Sequence, residues 1–110
     1  MLNASQWLDW YKQASCLYSD YQVAKKWEVP PSYISQFRSG RLRIPLANIL
    51  MIAEATGAEA IEIITALAYH RAPIKHKERI KRAYFDSLLR TVGQRMAEQS
   101  LNGYFRRPNR

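Results

Sequence analysis

Residues 19–40, SDYQVAKKWEVPPSYISQFRSG, decide how this chain folds. Ser19 is a good helix N-cap, and Gln22 three residues later completes a capping box. Tyr18 before the cap and Val23 beyond it have the spacing of a hydrophobic staple. Val23, Ala24 and Trp27 form one apolar stripe, with Lys25 and Lys26 pointing outward. Glu28-Val29-Pro30-Pro31 then interrupts the run. Pro30 precedes another proline and is pushed to an extended backbone suited to a cap. Pro31 can open a helix, because its missing N–H would have no partner in a first turn. A second short helix therefore runs from Pro31 to about Ser39 and ends at Gly40, a left-handed stop. Ile34 and Phe37 are its core residues. Ser32, Tyr33, Ser35, Gln36 and Arg38 are left facing out. Two short helices thus meet across a tight turn, and the second presents hydroxyls, an amide and a cation.

The helical period continues on both sides. Over about 5–15, Trp7, Leu8, Tyr11 and Ala14 recur at three- and four-residue spacing. After a loop at 41–45, a helix is expected over 46–56 with Leu46, Ile49, Leu50 and Ala53 inward, closed by Gly57. Another is expected over 58–70, with Ile61, Ile64, Leu67 and Ala68 as its stripe. Pro73 breaks the chain at 71–74. A long helix follows over about 75–100, with Ile80, Tyr84, Phe85, Leu88, Leu89, Val92 and Met96 on its apolar side. The tail, 101–110, contains Gly103 and Pro108 and is expected to be mobile. No segment has the two-residue period of a strand, so the fold class is all-α. The division falls at residues 1–72 and 73–110.

Net charge is +8, unevenly placed. Residues 1–70 carry six cations and six anions; from Arg71 onward there are eleven cations and three anions. A basic surplus points to a polyanionic partner. It also fits solvated helix faces equally well. Cys16 is the single cysteine, which excludes an internal disulfide and suits a reducing compartment. It reads as a small buried hydrophobe, with no cation or histidine nearby to make it a nucleophile. The start, MLNASQWLDWYK, has no basic region followed by a long apolar run, so no secretory signal is expected. The apolar run at 44–53 is too short to span a bilayer. A cytoplasmic protein without membrane attachment is expected.

The positions of Ala24, Trp27, Val29, Ile34, Phe37 and Gly40 resemble the helix-turn-helix domains of the lambda repressor and Cro family. The likeness covers residues 8–72, five helices in the family's order, and LANILMIAEATGAEAIEIITAL is similar to its closing pair. A weaker likeness is to the small regulators of phages and prophages. The resemblance implies a five-helix DNA-binding domain followed here by a long C-terminal helix. It makes Pro31 to Ser39 the recognition helix, with Pro31, Ser32, Ser35 and Gln36 base-facing. Gln36 is the leading candidate, since an amide bonds adenine N6 and N7 together. It places Tyr33 near the DNA backbone and Arg38, Ser39, Arg41 and Arg43 on the phosphate flank. Ser19 and Gln22 lie near a helix N-terminus, where the family contacts phosphate. Two residues depart from the pattern. Glu28 stands where the family has glycine, and Asp20 where it favours glutamine.

The family's dimers match palindromic operators with half-sites about 34 Å apart. Phe85, Leu88, Val92 and Met96 are the candidate dimer seam, on a helix that pairs with its mate or docks across the mate's 58–70 helix. The alternative is a helix folded back on its own domain. Trp7, Trp10, Tyr11 and Trp27 read as core. His70 and His76 lack metal-site spacing and read as solvated. No catalytic constellation stands out, so no enzyme, metal or cofactor is expected. The leading function is a repressor binding double-stranded DNA as a homodimer. The alternatives are a DNA-binding antitoxin or interaction module, whose last helix grips a partner protein, and a DNA-architecture factor.

Overall fold

The computed structural model describes the backbone of residues 1–105, and the side chains through residue 98 apart from Arg95. Among the described residues there are six helices and no strand: α1 (Ala4–Ala14), α2 (Asp20–Trp27), α3 (Pro31–Ser39), α4 (Leu46–Thr56), α5 (Ala60–Arg71) and α6 (Ile74–Phe105). The chain divides into two compact units, Met1–Pro73 and Ile74–Arg110. In the first, α2 packs on α3, α1 on α3 and α4, and α4 on α5.

Each boundary has a local cause. The Asn3 side chain accepts from the Gln6 N–H at 2.9 Å, and the Asn3 N–H donates to Gln6 Oε1 at 2.8 Å. This reciprocal box starts α1 one residue earlier than the apolar spacing indicates. Its other end closes through Cys16, at φ 56°, with the Leu17 N–H donating to the Lys12 carbonyl at 2.9 Å. That closure turns Cys16 outward, so the thiol expected inside is exposed. α2 ends the same way. Glu28 is left-handed at φ 58°, and the Val29 N–H reaches the Ala24 carbonyl at 3.0 Å. α3 begins at Pro31 and stops at Gly40, φ 82°, as its sequence indicates.

The core of the first unit is Trp7, Leu8 and Tyr11 of α1, Val23, Ala24 and Trp27 of α2, and Ile34 and Phe37 of α3, with Ile44, Ile49, Ile52, Ile63 and Ala66 beneath. The Trp27 ring joins Tyr11 at 5.2 Å and Phe37 at 6.3 Å between centroids. Truncating Phe37 to alanine would cost about 3–5 kcal/mol at such a site. Trp10 is not core; it stacks outside on Trp7 at 5.3 Å. Ala14 is also exposed.

The last two helices of this unit are rotated from their expected register. α4 buries Ile49 and Ile52, leaving Leu46 58% and Leu50 50% exposed. α5 buries Ile63 and Ala66, leaving Ile61 64% exposed and Ile64 and Ala68 at the surface. Both helices are apolar on several sides, so spacing alone does not choose the buried one.

In the second unit, α6 spans 32 residues, about 48 Å at the standard rise. It continues through residues 101–105, where a tail is expected; the remainder of that tail lies outside the described residues. Gly93 does not interrupt it. No described helix is long and apolar enough to cross a membrane.

Candidate nucleic-acid interface

α3 has two unlike sides. Ile34 and Phe37 are fixed in the core, and Tyr33 leans edge-on against Phe37 at 6.3 Å between centroids. On the opposite side Pro31, Ser32 and Ser35 are exposed and Gln36 is half-buried. The hydroxyls of Ser32, Tyr33 and Ser35 and the Gln36 amide have no hydrogen-bond partner among the described residues. Their exposure suits polar groups that water solvates, and leaves them accessible to a partner. Ser39 is exposed, and its hydroxyl donates to the Gln36 carbonyl at 3.2 Å. Arg41 and Arg43 follow the Gly40 stop, exposed and unpaired among the described residues.

Arg38, expected on the phosphate flank, is half-buried and engaged within the fold. Its guanidinium grips Asp20 with two parallel bonds, Nε to Oδ2 at 2.9 Å and Nη2 to Oδ1 at 2.8 Å. Nη1 donates to the Ser5 hydroxyl at 2.7 Å and the Ser5 carbonyl at 3.1 Å. Asp9 adds a second ion pair at 2.8 Å, and Lys12 meets Asp20 at 3.2 Å. A guanidinium has five N–H donors in a fixed fork, and this geometry occupies them between carboxylates and Ser5. The Arg38 bond holds the Asp20 carboxyl below its ordinary value against the opposing effect of burial, with Lys12 assisting. Asp20 in turn raises Arg38 further above its ordinary range. Arg38 therefore ties α3 to α2 through Asp20 and to α1 through Ser5 and Asp9. Asp20, at odds with phosphate binding in the sequence, is thereby neutralised. No local spacing signals an ion pair formed across so long a stretch of chain.

The start of α2 is also differently used. The Ser19 hydroxyl accepts from the Gln22 N–H at 3.2 Å. Gln22 Oε1 accepts from the Tyr18 N–H rather than from Ser19, a box displaced by one residue. Tyr18 is 86% exposed, so the staple with Val23 does not form. The Gln22 amino group and the exposed Lys25 and Lys26 remain available on this side of α2.

On α6, Phe85, Leu88, Val92 and Met96 are all exposed. They follow one another at spacings of three and four residues, along one side of a helix. His70, expected to be solvated, meets the Met1 carbonyl through Nε2 at 2.7 Å. Among the described residues no three His, Cys, Asp or Glu gather into a group that could hold a metal ion. No family model, curated protein or solved structure matches the chain.

Proposed function

We propose that this chain is a sequence-specific DNA-binding regulator built like the lambda repressor and Cro domains, a phage- or prophage-type repressor that binds a palindromic operator as a dimer. The reading rests chiefly on the outward side of α3. Ser32, Ser35 and Gln36 are unpaired, polar and uncharged, on a helix whose other side is locked into the core. Base edges in a major groove are read by hydrogen-bond donors and acceptors of this kind, projected from a helix whose other side is anchored in the core. Tyr33, Ser39, Arg41 and Arg43 flank it as phosphate ligands, and Arg38 orients it from behind. Ser19 and Gln22 support the approach of α2 to the DNA backbone.

Selection of bound sites from random duplexes with the purified protein tests this reading. A two-fold symmetric consensus is expected. Recovery of no preferred sequence would leave only salt-dependent architectural binding or none, and the regulator reading would fall.

A second reading has its own observation, the exposed apolar row on α6. In the first reading that row pairs with its copy in the dimer. In an antitoxin or interaction module it grips a different protein.

A further inference from the structure

A cavity of about 420 Å³ opens beside the C-terminal end of α3, wholly within the Met1–Pro73 unit. Small-molecule sites fall between about 300 and 1,000 Å³. Of its lining residues, Phe37, Ile44 and Ile49 are buried in the core, while Leu42, Leu67 and Ile64 are more accessible. These side chains suit an apolar occupant and offer it no hydrogen bond.

The charged lining has one sign. Arg38, Arg43 and Arg71 reach the cavity, and no aspartate or glutamate does. Arg38 is consumed by Asp20 and Asp9. Arg71 spends one N–H on the Gly40 carbonyl, Nη2 to O at 3.0 Å, which pins its guanidinium beside the helix stop. The rest of its donors and all those of Arg43 are uncommitted among the described residues. A guanidinium fork matches a carboxylate in shape as well as in charge.

We propose that this cavity binds a small amphipathic monocarboxylate, a medium-chain fatty or aryl-alkanoic acid. Its apolar body lies against Phe37, Leu42, Ile64 and Leu67, and its carboxylate meets Arg43 and Arg71. The binding claim stands apart from DNA. Its consequence rests on the DNA-binding reading: a carboxylate on Arg43 withdraws a phosphate ligand and braces the loop after α3, so the acid lowers operator affinity.

The test is titration of sodium octanoate into the full chain, read by calorimetry and amide chemical shifts. Saturable binding is expected, with shifts at Gly40, Leu42, Ile64 and Arg71. Octanol should bind at least about tenfold more weakly, the scale of one lost charge-assisted hydrogen bond. The surface variants Arg43→Gln and Arg71→Gln should each weaken octanoate and leave octanol unchanged. The absence of saturable shifts at these amides overturns the proposal, as does octanol binding as tightly as octanoate, or octanoate indifferent to both arginines. A particle mass that halves in Ile64→Glu, with no octanoate bound, assigns the cavity to a second copy and also overturns it. The two readings separate cleanly. Octanoate binding with no duplex selected leaves the cavity site and removes its regulatory consequence. A selected duplex whose affinity octanoate does not change retains DNA binding and removes the coupling.

Discussion

Arg38 and Asp20 stand eighteen residues apart; their bidentate pair joins α3 to α2, and Arg38 also reaches Ser5 and Asp9 of α1. Replacing Arg38 with methionine keeps most of its apolar stem but leaves Asp20 partly buried without its fork. Allowing for partial exposure, a loss of about 2 kcal/mol is expected, measured by urea denaturation. The same pair sets a pH dependence. The Asp20 carboxyl is lowered in the folded chain, so its contribution is present above the ordinary carboxylate value near pH 4 and fades as pH falls through the folded value. Between neutral pH and pH 3 the parent chain should lose more stability than Asp20→Asn does. Glu28 shows the converse case. Its left-handed backbone costs a side-chain-bearing residue about 1 kcal/mol, so Glu28→Gly should gain roughly that much in a thermal melt. The position was legible, because the resemblance puts a glycine there. The matching strain at Cys16 was not, since nothing near that residue announces a left-handed closure. On the proposed function, Gln36→Ala costs about 1–3 kcal/mol on the selected duplex and little on random DNA. Arg41→Ala weakens both alike, because a phosphate carries no sequence. Quantitative gel shift on both duplexes separates the two behaviours.

At the scale of helices, legibility followed how unequal the sides of each segment are. α2 and α3 carry strong punctuation and one clear stripe, and both form over their expected spans. α4 and α5 carry isoleucine, leucine and alanine on too many sides. Leu46, Leu50 and Ile61 fit the helical period as well as the residues that are buried, and packing against α1 and within the α4–α5 pair made the choice. α6 was legible as a helix but not in its extent, because Gly103 lies near an end where glycine propensity is a weak guide. Its exposed row yields a prediction that needs no DNA. Sedimentation should give the full chain twice its monomer mass, and Leu88→Glu combined with Val92→Glu should halve it. A monomeric parent chain would remove the homodimer and favour a foreign partner on the same row.

For the molecule as a whole, charge and apolar surface are divided between units. The first has nearly balanced charge, while α6 and the residues after it carry most of the surplus. That surplus was legible from composition; its use was not, because charge placement along a sequence does not say which polyanion is within reach. Reversing Lys77, Arg79, Lys81 and Arg82 decides it. If they meet DNA, the slope of log affinity against log salt becomes shallower by about 0.9 for each phosphate that these cations no longer neutralise. An unchanged slope removes the start of α6 from the interface.

Ser32 and Ser35, on the outward side of α3, make no contact that holds the interior together. Ser32 and Ser35 can be exchanged within about 0.5 kcal/mol of the parent stability, the usual tolerance of surface positions. If α3 reads DNA, heredity can rewrite the target while the folded body stays as it is. Recognition in such a lineage drifts freely, and foldability guards only the hidden half of the rod.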